Sequence, residues 1–261
     1  MDENTIATTV ATAFTTALIT KGAKGPAKTF GLLWQATFGR WDNQLQAYID
    51  RRNKNFKEYA ENIAEEVDQI PDNELKEEPN TSIIGPALEA SKYYIEEEIP
   101  RKMFAKLIAS SMDKRKDGLV HQSFVEIIKQ MSPDDAKVLI ELTNPSVLIN
   151  CLVKRTDLEN QNEWFSDIFL SPNIPEEISV NSVSISNLER LGLLYIPNRN
   201  LGNLRMNSED KTTIEQFKNT TLYKALMHDC ENPASPRKSV EIITYLAYLT
   251  KLAFAFKSVC L

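Results

Sequence analysis

Histidine is almost missing from this 261-residue chain, which has only His121 and His228. Metal sites need several convergent His, Cys or carboxylate groups, and only "HDC", His228 to Cys230, sets two soft ligands side by side. There is no His-Glu-x-x-His pair, so no metal and no cofactor is expected. His228 reads as a polar helix-end residue and Cys230 as part of an apolar face. Cysteine is as sparse: Cys151, Cys230 and Cys260 are odd in number, far apart and without a Cys-x-x-Cys pair. That excludes a disulfide framework and suggests a reducing compartment. Also lacking are a run of roughly twenty apolar residues and the basic start and apolar core of a secretory signal. A cytoplasmic chain without a transmembrane helix is the expectation, with attachment at the inner face of a membrane as its variant. Internal repeats and low-complexity tracts are absent too.

Two catalytic patterns each lack one part. "GAKGPAKT" carries Gly22, Lys28 and Thr29 at P-loop spacing, but Ala27 stands where the second glycine belongs. That glycine lets backbone N–H groups approach phosphates, and Pro26 removes a further donor. The segment reads instead as a break between helices with a basic corner. In "GLVHQSFVEIIKQMSPDDA", His121 has Ser123, Asp134 and Asp135 for company. Ser123, two residues on, is expected on another side of a helix. The aspartates suit a helix N-terminus opened by Ser132 and Pro133, and no third orienting group completes a triad. A non-enzymatic protein is therefore expected, with a hydrolytic centre at His121 as one alternative.

What is present is helical periodicity. Ile6, Val10, Phe14 and Leu18 fall four apart, and Phe30, Leu33, Trp34, Phe38 and Trp41 continue on a helical spacing beside Lys21, Lys24 and Lys28. These stripes read first as faces packed on the chain's own core or on a partner subunit. Their amphipathic, basic character also fits a membrane surface. Phe14, Lys21, Lys24, Lys28, Trp34 and Trp41 are thus the membrane or partner contact candidates. Charge supports that placement: residues 1–57 carry eight Lys/Arg against four acids, and residues 58–80 one Lys against nine acids. Any anionic partner belongs at the basic N-terminal end.

Further stripes follow at Ile84, Leu88, Ser91 and Ile95, then at Phe104, Leu107, Ile108 and Met112, then at Phe124, Ile127, Ile128 and Met131. Beyond about residue 143, "NPSVLINCLVKR" and "SVEIITYLAYL" are β-branched or alternating and read as short strands. "SISNLERLGLLYI" offers a helix ending at Gly192 and an extended run after it, as where a winged helix enters its wing. The fold class expected is mainly α. A helical region spans 1–131, made of amphipathic helices over 1–70, a charged linker over 71–80 and a helical core over 81–131. A winged-helix-like α/β module with insertions fills 132–261. Its recognition helix offers only Asn187 and Arg190 for contacts to nucleic acid, in a module of balance −3. A fold used for protein contact is therefore favoured over a nucleic-acid regulator, which remains an alternative.

The run "IIGPALEASKYYIEEEIPRKMFAKLIASSMDKRKDGLVHQSFVEIIKQMSPDDAKVL", then "ISNLERLGLL", then "LTKLAFAFKSVC" resembles the Abi-alpha family of bacterial abortive-infection proteins. The likeness covers roughly residues 70–261 and is densest over 83–140. Two departures stand out. Gln122 occupies the place of a usual proline, and Leu252–Ala253 the place of a usual glycine. The resemblance implies defence against bacteriophage by sacrifice or arrest of the infected cell. Its partners would be another protein or a second copy, with a phage component as trigger. It marks His121, Ser123, Phe124, Asp134, Asp135 and Arg190 as signature or interaction candidates and supplies no catalytic residue.

Overall fold

The computed structural model describes residues 24–38, 46–157, 162–173, 178–197 and 208–261. Two units emerge: residues 1–133 with 255–261, and residues 134–254.

The first unit is helical. Its elements are α1 (Lys24–Phe38), α2 (Gln46–Asp68), α3 (Thr81–Ser91), α4 (Glu98–Ser111) and α5 (Ser123–Gln130), with short 3-10 turns at Asp72–Glu74 and Lys114–Lys116. The final turns of α10 (Lys251–Cys260) complete it. On α2, Tyr59, Ile63 and Val67 are buried while Lys54, Lys57, Glu61, Glu65 and Asp68 are exposed, so charge and core occupy separate faces. The stripes on α3, α4 and α5 point inward: Leu88, Phe104, Ile108, Met112, Phe124 and Ile128 are completely buried. Pro100 lies in the first turn of α4, where its missing N–H removes no helix bond. The charged linker is tied in as well: Leu75 is buried, bridges to Asp113 and leads to Lys76, whose N–H donates to the Met112 carbonyl at 2.9 Å.

Among the described residues the second unit holds four strands: β1 (Ser146–Arg155), β2 (Glu163–Ile168), β3 (Leu194–Tyr195) and β4 (Arg237–Leu249). They form one antiparallel sheet in the order β2-β1-β4-β3. Around it stand α6 (Pro133–Glu141), α7 (Ile178–Arg190), α8 (Ser208–Lys218) and α9 (Thr221–Glu231), with α8 against β1, α9 against β4, and α7 against β2 and β3. Ile149, Cys151 and Val153, alternate residues of β1, join Ile168, Phe217 and Leu226 in one apolar cluster. Strand alternation aims all three at the same layer.

This differs from the expected outline. The β-branched runs do form strands, but β1 and β4 have ten and thirteen residues and are not short. β1 and β4 pair over the whole of β1, from Ser146↔Ala247 to Arg155↔Arg237. β3 has two residues, and α8 and α9 intervene before the strand it pairs with, where a wing would be a hairpin following the helix directly. The chain therefore combines helices with a four-stranded antiparallel sheet and is not all-α. The helix end at Gly192 does form: Gly192 has φ +73°, and the N–H groups of Leu193 and Gly192 donate to the Leu188 and Glu189 carbonyls at 2.9 Å. That is the Schellman ending, in which the left-handed residue is best filled by glycine.

Candidate functional site

His121 stands outside a helix, two residues before the start of α5. Its Nδ1 accepts the Ser123 backbone N–H at 3.1 Å and lies 2.7 Å from Ser123 Oγ, while its carbonyl accepts the Phe124 N–H at 3.0 Å. This is capping geometry, with the imidazole doing what an Asn or Ser side chain usually does at a helix start. The reading that set Ser123 on a different side of a helix from His121 is corrected, because the turn preceding a helix brings i and i+2 together. Phe124 itself is buried, 6.2 Å from the His121 ring by centroids and edge-on to Phe256 at 5.3 Å.

The other signature residues have partners of their own. Asp134 pairs with Lys137 at 2.8 Å, one turn along α6. Asp135 is 3% exposed and its Oδ2 accepts from Asn187 Nδ2 at 2.8 Å. Asn187 Oδ1 in turn accepts from Arg190 Nε at 2.9 Å and Nη2 at 2.8 Å. The structure thus links Asp135 and Arg190 through Asn187. At the N-terminal end, Trp34 is 1% exposed and stacks between Phe30 at 5.7 Å and Tyr59 at 6.0 Å. It is a core residue here, so its place among the membrane contacts is corrected. Lys24 and Lys28 fall on α1, and Phe14, Lys21 and Trp41 lie outside the described residues.

The helical unit also contains a cleft of about 510 Å³. The last turn of α2 contributes Glu66 and the turn after it Gln69, the stretch after α4 contributes Asp113, Arg115 and Lys116, and the last turn of α10 contributes Ser258. Asp113 is 3% exposed and accepts from Arg115 Nε (2.9 Å), Nη2 (2.7 Å) and the Arg115 backbone N–H (2.9 Å). Burial raises the Asp113 carboxyl, but Arg115 and Lys116 together outweigh burial and hold it below the usual carboxylate value. Three side chains meet the carbonyls at the end of α10. Lys106 donates to Leu261 O, Ser110 Oγ to Val259 O at 3.0 Å, and Lys116 to Ser258 O at 2.5 Å. Ammonium groups suit the negative end of a helix dipole. No role is assigned from sequence to Arg115 and Lys116, which line this cleft beside Asp113.

A second polar locus lies inside the sheet. The β1–β2 register shifts between Ile149 and Cys151. Opposite the shift, Asp167 adopts φ +58°, left-handed for a residue with a side chain. Its N–H donates to Asn150 Oδ1 at 3.0 Å, and Tyr245 Oη donates to Asp167 Oδ1 at 2.5 Å and lies 2.9 Å from Asn150 Oδ1. All three residues are buried. At the sheet end, Glu163 is clasped by Arg237 (2.9 and 3.0 Å) and Arg155 (3.0 Å). Arg237 and then Arg155, working against burial, hold the Glu163 carboxyl below its usual value. Burial pushes the Cys151 thiol up to about 12 and Cys260 well up, so neither is a thiolate at neutral pH. Among the described residues no group of three or more His, Cys, Asp or Glu is placed to hold a metal. No helix of theirs is long and apolar enough to cross a membrane.

The described residues thus form a helical unit and an antiparallel-sheet unit, with an imidazole-capped helix between "KDG" and "SPDD". The chain belongs to the abortive infection alpha family, whose profile it matches over residues 51–260. No curated protein and no solved structure matches it.

Proposed function

We propose that this chain serves in defence against bacteriophage, through contact with a partner protein or a second copy and without turning over a substrate. The observation that supports this reading most directly is the use made of His121, the one imidazole in the family-like block. Its Nδ1 accepts the Ser123 backbone N–H, so the ring closes a helix end, and among the described residues no carboxylate bonds the ring to orient it as the base of a triad. Asp134 and Asp135, the carboxylates considered with it, go to Lys137 and Asn187. A phage component is the proposed trigger. The membrane route loses an anchor through the burial of Trp34.

The test is a plaque assay in a host protected by the chain. His121→Asn retains a capping acceptor and is expected to retain protection; His121→Ala is expected to lower protection only as far as it lowers the amount of folded protein. Loss of protection in a well-folded His121→Asn protein would instead establish imidazole chemistry. Unchanged phage yield with the unmodified chain across a broad phage panel would remove the defence role itself.

A further inference from the structure

The cleft of the helical unit is large enough for a small molecule, and its charge is uneven. Lys106 and Lys116 face carbonyl and hydroxyl oxygens of the last turn of α10, and neither forms an ion pair with a carboxylate side chain among the described residues. An ammonium carries three N–H groups, so both keep donors beyond these contacts. Arg115 turns Nε and Nη2 onto Asp113 and keeps Nη1 without an acceptor among the described residues. Its side chain is 49% exposed, whereas that of Asp113 is 4% exposed, so the pair presents cation outward and buries its anion. Glu66 on α2 is the other acid of the lining, and no described residue pairs with it.

We infer that this cleft binds a small phosphate ester. Three cations on separate side chains line the cleft, and donors spread over several groups suit a tetrahedral group with several anionic oxygens, whereas one guanidinium fork already satisfies a carboxylate. Their partners hold them in place before a ligand arrives, which lowers the ordering cost of binding. A cleft of about 510 Å³ exceeds what a bare phosphate fills, so the phosphate carries an organic group. The lining hydroxyls of Ser110 and Ser258 and the amide of Gln69 suit a hydroxylated one, such as a sugar or nucleoside. The carboxylate of Glu66 weakens the site for anions and supplies an acceptor for a ligand hydroxyl or amine.

Isothermal titration of the full chain with ATP, ribose 5-phosphate, inorganic phosphate and citrate tests this. One of the two esters is expected to bind saturably and more tightly than inorganic phosphate or citrate. Lys106→Gln and Lys116→Gln are expected to weaken that binding about tenfold each, as loss of one charged contact does. Glu66→Gln, which breaks no existing pair, is expected to tighten it about threefold. That opposite sign separates ligand charge from damage to the helix end. No saturable binding of either ester at millimolar concentration overturns the inference. So does tighter binding of citrate, or ester binding indifferent to Glu66→Gln and to both lysine variants.

Discussion

His121 and Tyr245 show how one polar atom is committed by its surroundings. His121→Ala removes the acceptor for the Ser123 N–H, and urea unfolding should report a loss of about 1 kcal/mol, the usual worth of a helix cap. His121→Asn should recover most of it, whereas a residue conserving only ring size should not. Tyr245→Phe keeps the ring and deletes the hydroxyl that faces Asp167 and Asn150, all of them buried. A loss of about 1–3 kcal/mol is expected, the cost of stripping a donor from a buried polar group. A Tyr245→Phe protein as stable as the parent would mean that the cluster contributes nothing to holding the left-handed turn at Asp167.

Elements are ended and joined by features that single residues set. Gly192 closes α7 in the left-handed conformation, and a Cβ added there would meet only Leu252 Cδ2 at 3.9 Å, an ordinary contact. Space is therefore no obstacle, and the cost of Gly192→Ala is conformational. About 1 kcal/mol is expected in thermal or urea unfolding, because only glycine adopts this region freely. A neutral result would show that the Leu193 to Leu188 hydrogen bond survives in another geometry. α2 carries its bases before its acids, against the preference of the helix dipole, and its Lys54–Glu58 and Lys57–Glu61 pairs are long at 3.7 Å. Such exposed pairs add little, so α2 owes its place to Tyr59, Ile63 and Val67 in the core.

For the molecule as a whole, the charge linkages fix an acid limit. The carboxyls of Glu163 and Asp113 both sit below their ordinary values in the folded chain, the first beside Arg237 and Arg155, the second buried against Arg115. A carboxyl depressed on folding contributes stability that is fully present above its unfolded pKa of about 4 and is lost as pH falls through the folded value. Stability should therefore fall on acidification below roughly pH 4. Glu163→Gln should lower stability at neutral pH and flatten that acid limb. Denaturant midpoints collected from pH 7 down to pH 3 check this, and an acid limb of unchanged slope in Glu163→Gln would place the linkage elsewhere.

Periodicity alone determined the helices of the first unit. The positions four and three apart at Phe104, Leu107, Ile108 and Met112 are completely buried, since a 3.6-residue repeat leaves an apolar stripe no other place to go. The end of α7 at Gly192 and the identity of the family block were legible for the same reason: both are local. Strand partners were not. "SVLINCLVKR" joins a strand more than eighty residues later, and neither run carries a mark of the other. The same limit hid both polar loci. The cleft gathers residues from α2, from the turn after α4 and from the end of α10, and the sheet cluster gathers Asn150, Asp167 and Tyr245 from three strands. Local pattern fixes which face of a segment is buried; which distant side chains then meet is decided only when the tertiary packing closes, because proximity of that kind is not written at any sequence spacing.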